Sequence, residues 1–440
     1  MTAASHIWPA FSNPHNAFGG TPTVLVAGDG CWLTDNAGRR YLDGVGALEA
    51  MVVGHGRRRL ADTAQRQLEQ LAFLDVFRYT SEPALQLAEK LAQLAPVNEA
   101  MVHYTPGGSE AVETAMKLAL QYHFLRGQPS RRRFVGRHGA YHGVTLGAMS
   151  LGGSYYAMRN DIYLPDGLGV SADQGVRDEA WFGSGARHTS DASSIEAKII
   201  EIGAENVAGV IVDPMATASG VAMPPLDDLS DIRAVCDRHD VLMIVDEVIT
   251  AWGHTGALFA SELSGVRPDI VTVSKGLSSG YMPIGATIIG RHVIDAFEGA
   301  SGLFAHGQTY GGHPAACAVA LENIAILEEE ELATRAASLG PLVRDLLGSL
   351  VDEFSTVRAV RGRGLLMGLE ICVDRDTDVD FGDRQAAGTR FRLALKDAGL
   401  IGICVHPGNV LLLAPPLIID ESELEQMRDM LRLGLAAITR

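Results

Sequence analysis

The stretch IVTVSKGLSSG, residues 270–280, runs four apolar or β-branched residues into a serine and a single cation, Lys275, and then into glycines and serines. Such a short run reads as a buried strand, and the small residues after it as the turn that closes it. Taken alone, the pattern describes a surface lysine in a turn. Four similar runs change that reading: RRFVGR (132–137), VAGVIVDP (207–214), VLMIVDEV (241–248) and IGATIIG (284–290). Their apolar cores are continuous rather than alternating, and most are separated by helix-length segments. This combination predicts an α/β fold with a mostly parallel sheet covered on both faces. Ligands of such sheets sit at the carboxyl ends of the strands. Asp213, Asp246 with Glu247, and Lys275 close these runs and are therefore expected to converge on one pocket.

Working outward, the 440 residues suffice for two or three domains. Residues 1–54 read as short strands and turns, as in TVLVAGDGCWLTDNAGRRYLDG (23–44). Residues 55–325 carry the alternating helices and apolar runs of a large domain. Residues 326–440, with GRGLLMGLEICV (362–373) and GICVHPGNVLLLAPPLII (402–419), read as an α+β unit. The two ends of the chain are expected to pack together as a small domain.

Composition narrows the function. A net charge of -17 disfavours a nucleic-acid partner held by a basic footprint. The five cysteines form no CxxC pair, which fits reduced thiols better than disulfides or a zinc site. No HExxH-type spacing predicts a metal centre. The opening MTAASHIWPAFSNPHN lacks the build of a signal peptide, and no apolar run is long enough to span a bilayer. A cytoplasmic protein without a membrane partner is expected.

Two further motifs add chemistry. In YTPGGSEAVETAMKLALQY (104–122), Gly107, Gly108 and Ser109 precede a helix, with Ser109 as the expected cap. Small residues there let backbone N–H groups approach a phosphate at the positive helix end. In HGAYHGVTLGAMS (138–150), Tyr141 and His142 offer an aromatic face and a hydrogen-bonding ring. With Asp246 for a protonated ring nitrogen and Val248 for a second ring face, these parts describe a host for pyridoxal 5'-phosphate, whose aldehyde requires a lysine amine.

The sequence resembles the class III pyridoxal-phosphate aminotransferases of fold type I. The likeness runs from HIWPAFSNPH (6–15) through GGSEAVETA (107–115), YHGVTLG (141–147), VDEVITAWGHTG (245–256), VSKGLSSGYMPIGA (273–286) and HGQTYGGHPAACA (306–318) to LLLAPPLIID (411–420). The stretch KGLSSGYMPIGA looks most like the ω-amino acid or amine:pyruvate transaminase branch. The resemblance implies a seven-stranded sheet in the large domain and a homodimer with shared active sites. It implies Lys275 as the Schiff-base lysine, Asp246 as the pyridinium partner, and Tyr141 and Val248 as the ring sandwich. Gly108 and Ser109 would hold the phosphate, with Thr309 reaching it from the neighbouring subunit. An amine donor and a carbonyl acceptor would react in two half-reactions. The same scaffold also supports racemisation, aminomutase chemistry and decarboxylation, and an idle homologue could retain the cofactor as a ligand.

Three departures fall where substrates are chosen. In GVGALEAMVVGHG (44–56), Glu49 stands about where the branch commonly has an aromatic residue. It reads equally as a turn residue or as a pocket carboxylate that favours a second amine or several hydroxyls on the substrate. Asp213, in VDPMATASG (212–220), replaces a glutamate that often pairs with a mobile arginine. Leu412 occupies one usual position of a carboxylate-binding arginine. His406 lies near the other, as a loop residue or a weaker contact. Arg159 and Arg361 are cations without an assigned place. An amino group remote from any carboxylate is the expected substrate feature.

Overall fold

The structure is a computed structural model and describes residues 6–13, 22–137, 139–152, 192–298 and 302–439. All five apolar runs form strands of one central sheet. Its order is Met101–Thr105, Gly285–Ile289, Ile270–Val273, Leu242–Asp246, Val207–Val212 and Arg133–Gly136. The last four are mutually parallel, while Gly285–Ile289 runs antiparallel to both of its neighbours. Six strands of the expected seven are thus among the described residues. Met101–Thr105 has no counterpart among the five apolar runs. It is an edge strand of mixed exposure, so it lacks the wholly apolar run that marks the central strands.

The helix Gly108–Leu125 crosses one face of this sheet and packs on Gly285–Ile289 and Ile270–Val273. Val112, Ala115 and Ala119 are fully buried in that contact layer. The helices Ala192–Ile202 and Asp228–His239 pack together and contribute Ile195, Ile199 and Ile232 to the main core. Continuous burial explains the continuous apolar composition of the strands.

The ends of the chain do meet. The antiparallel strands Leu25–Asp29, Trp32–Asp35 and Arg40–Asp43 are extended by Leu400–Ile401, which runs parallel to Arg40–Asp43. A third sheet, Val357–Arg363, Leu366–Ile371, Val410–Leu413 and Ile403–Val405, is antiparallel throughout. The helices Arg384–Ala398 and Glu421–Ile438 pack against each other beside these strands. The helix Pro314–Glu329 runs across residue 325, where sequence patterning set the joint of the C-terminal unit. Glu331, at φ 49°, turns the chain before the next helix. Among the described residues, no helix is long and apolar enough to cross a membrane.

Candidate active site

A cavity of about 130 Å³ opens at the carboxyl ends of the parallel strands. Asp246, Asp213 and Lys275 line it, together with Gly108, Ser109, Tyr141, His142 and Val248. Residues far apart in the chain are brought together because each sits at a strand end or the adjoining turn. Thr309 and His406 do not line the cavity: Thr309 is exposed and His406 is half-buried in the turn after Ile403–Val405. Arg159 lies outside the described residues.

Asp246 and Glu247 show how adjacent residues at a strand end divide their tasks. Glu247 turns away and accepts hydrogen bonds from the backbone of Ala260 and Ser261 and the hydroxyls of Ser261 and Thr250. Burial nevertheless pushes its carboxyl upward. Asp246 faces the cavity. Its Oδ1 accepts from the Thr272 hydroxyl at 2.8 Å and the Val248 N–H at 3.1 Å, and its Oδ2 meets His142 Nδ1 at 2.7 Å. Burial opposes the charged form of His142, but the bond to Asp246 and its negative charge prevail, and the imidazole titrates above its ordinary value. His142 Nε2 is buried and has no hydrogen-bond partner. Tyr141 titrates high, first through burial and then through the charges of Asp246 and Glu49.

The phosphate-cradle motif differs from its expected form in one detail. The helix starts at Gly108, Gly107 holds the cap position with extended backbone, and no side chain caps it. Ser109 is therefore not the cap. It lies in the first turn, and its hydroxyl accepts the Val144 N–H at 3.1 Å. The first N–H groups of the helix are left without a side-chain partner. A Cβ on Gly108 would come within 2.8 Å of Val248 Cγ1, so glycine lets the helix end approach the cavity wall. Gly143 adopts φ 129°, and a Cβ there would strike Ser109.

Lys275 enters from a short turn, Lys275–Leu277, at φ 45°. Asn323 clamps that turn by donating to the carbonyls of Gly276 and Leu277 at 2.8 and 3.0 Å. Gly276 is boxed in by Trp252 and Val52, which leave no room for a Cβ. Ser274 donates to the Ile284 carbonyl, and Ser279 Oγ accepts from the N–H groups of Val52 and Val53. The glycines and serines around Lys275 thus fix a strained turn and tie it to the segment that carries Glu49.

Glu49 is 4% exposed, and its Oε2 stands 2.5 Å from Lys275 Nζ. It is therefore not a surface residue, and it meets the site through Lys275, not as one of the residues lining the cavity. Gly46, Ala47, Leu48 and Glu49 all have positive φ, a left-handed turn that three non-glycine residues adopt only under tertiary constraint. Fully buried Asp43 supplies part of that constraint. Its carboxylate accepts the Ala47 N–H at 2.9 Å and meets His55 Nε2 at 2.8 Å. Asp213 faces Arg137, with Nη1 to Oδ1 at 3.5 Å, and Arg137 also contacts Asp228. Arg361 is engaged elsewhere, by Glu370 at 2.7 Å and the Gly220 carbonyl at 2.6 Å.

A strand-end lysine, a buried acid–imidazole pair and an uncapped helix start around one cavity are the parts that a pyridoxal-phosphate site requires. Residues 16–435 match the family described as Aminotransferase class-III, and the chain belongs to that family. It is 35% identical to adenosylmethionine-8-amino-7-oxononanoate aminotransferase of Geobacter sulfurreducens, over 99% of this chain and 96% of that protein. It is 34% identical to putrescine–pyruvate aminotransferase of Pseudomonas aeruginosa, covering 92% of this chain and 88% of that one. An amine transaminase from an uncultivated Pseudomonas species, solved in its PLP-bound internal aldimine form, superposes with a TM-score of 0.87 at 33% identity and 98% coverage of both chains. The protein is a pyridoxal-phosphate-dependent aminotransferase acting on small amine and carbonyl substrates.

Proposed function

We propose that the donor is a primary amine whose reacting carbon bears no carboxylate, such as a diamine or amino alcohol. The observation that carries this reading is the buried Glu49 carboxylate 2.5 Å from Lys275 Nζ. A donor carboxylate beside the reacting carbon would be brought close to Glu49, and juxtaposed like charges cost several kcal/mol. Among the described residues, the charged side chains lining the cavity, Asp213, Asp246 and Lys275, include no arginine to offset that repulsion. A second ammonium or a hydroxyl on the donor would be attracted instead.

In this reading Lys275 would bind the cofactor aldehyde, and Asp246, held by Thr272 and His142, would keep the ring nitrogen protonated. Tyr141 and Val248 would flank the ring, and the backbone of Gly108 and Ser109 would receive the phosphate. The uncapped helix start, the missing Cβ at Gly108 and the unpartnered Nε2 of His142 support the fit. Pyridoxal phosphate, when bound, supplies an aldehyde and an electron sink. Lys275 then takes the proton from the donor carbon and returns it.

The enzyme would act as a homodimer. Phe77 is 65% exposed and Tyr310 63%, and Phe73 meets Tyr310 with ring centroids 5.7 Å apart. This apolar surface adjoins Thr309, which in a dimer would reach the phosphate of the partner's site. Five free thiols fit a reducing compartment such as the cytoplasm.

Matched donors test the substrate reading: isopropylamine against L-alanine, and ethanolamine against L-serine. A kcat/KM about a hundredfold or more higher for each carboxylate-free partner is expected, since about 3 kcal/mol is a factor of 10². Strong preference for L-alanine, L-serine or glutamate, or for 2-oxoglutarate as acceptor, would contradict it.

A further inference from the structure

We propose that Glu49 is itself a catalytic residue, the counter-charge and proton partner of Lys275. This rests on Lys275 being the reacting lysine, as proposed above, but is independent of which amine is the donor. In each half-reaction Lys275 is at some stage a free amine, and the structure places its Nζ 2.5 Å from Glu49 Oε2.

The proton balance is direct. When neutral Lys275 takes a proton from the donor carbon, the C–H bond breaks and an N–H bond forms. The electron pair stays with the carbon, and Nζ becomes an ammonium. Glu49 holds that ammonium through a charge-assisted hydrogen bond. It can also accept one of the three protons, breaking N–H and forming O–H, so that Lys275 is again neutral. The proton returns by the reverse step before the lysine delivers it.

The architecture suits this role better than a passive contact. Four consecutive left-handed residues, steadied by Asp43, deliver the carboxylate, while Ser279 ties the same segment to the lysine turn. Strain of this kind persists where the surroundings over-determine the geometry. The other ionisable groups around the pair, among the described residues, are committed or differently placed. Asp246 and His142 hold each other, and Asp213 faces Arg137. Tyr141 lines the cavity, and His254 is buried with Nε2 on the Pro415 carbonyl.

The test uses the cofactor-loaded full chain as wild type, Glu49→Gln, Glu49→Asp and Lys275→Ala. Two quantities are read: the pH midpoint of the bound cofactor's absorbance change, and the single-turnover rate with isopropylamine bearing hydrogen or deuterium on the reacting carbon. Removing a negative charge beside Nζ should lower the midpoint by about one unit or more. C–H cleavage should slow about tenfold or more, with a larger isotope effect. Glu49→Asp should fall between wild type and Glu49→Gln. A folded Glu49→Gln protein, verified by circular dichroism, with unchanged midpoint and isotope effect would overturn the inference. If Lys275→Ala retains the wild-type band, the assignment of the lysine itself fails instead.

Discussion

At the scale of single residues, the site turns on which side chains are left unpaired and which are held. Asp246 is held from three directions, whereas His142 Nε2 has no partner. Lys275→Ala is expected to reduce turnover by at least about 10³-fold, because nucleophile and base are lost together. The check is carbonyl product formed from isopropylamine. His254 offers a pH prediction of its own. Burial, and secondarily the positive charge of Lys275, lower its titration from 6.5 to about 4. The folded-state value is depressed for a base, so its stabilising contribution is complete above pH 6.5 and is lost as pH falls toward 4. The loss amounts to about 3 kcal/mol at 1.36 kcal/mol per unit. Melting temperatures of wild type and His254→Gln measured between pH 4 and 7 should converge on the acidic side. Parallel curves would contradict this account. Lys275 and Asp246 were legible in the sequence because strand-end position follows from hydrophobic pattern. The pairing of Glu49 with Lys275 was not, since it joins residues 226 positions apart through a turn that no local propensity favours.

At the scale of elements, the five apolar strands were legible for the reason that they are strands: both faces are buried, so the composition is uniform. The edge strand Met101–Thr105 and the left-handed turn Gly46–Glu49 were not, because their conformations come from partners. The turn leans on Asp43, whose carboxylate serves Ala47 N–H and His55 together. Its other oxygen also faces the N–H groups of Ala47 and Val45, at 3.2 and 3.4 Å, and the amide nitrogen of Asp43→Asn would set a donor against one set of partners or the other, so the substitution should destabilise the protein by about 1–3 kcal/mol. Chemical denaturation measures that loss. It should also misplace Glu49 and relax discrimination against L-alanine. At the helix start, Gly108→Ala places a carbon against Val248 at 2.8 Å. Either Val248 moves into the cavity or the helix end withdraws, and cofactor affinity should fall about tenfold or more, at about 1–3 kcal/mol for an overpacked contact. Absorbance titration with pyridoxal phosphate gives the comparison.

At the scale of the whole molecule, the meeting of the chain ends is visible in one pairing, Leu400–Ile401 beside Arg40–Asp43. Short strands at both ends of the sequence suggested that meeting, though not its register. Surface function was less legible, because exposed Phe77 and Tyr310 carry no periodic signal. If they face a second copy, Phe77→Glu with Tyr310→Glu should give a monomer by sedimentation and weaken cofactor retention, since Thr309 would then lack its site. A double variant that remains dimeric and fully loaded would place the interface elsewhere. The most direct test of the account is a half-reaction: the purified, cofactor-loaded protein titrated with 1,4-diaminobutane in the absence of any acceptor. The account predicts loss of the cofactor's absorbance band with one equivalent of carbonyl product per site and no free ammonia, and no such change in Lys275→Ala. A band that amines leave untouched while glutamate bleaches it, or a Lys275→Ala protein that behaves as wild type, would contradict it.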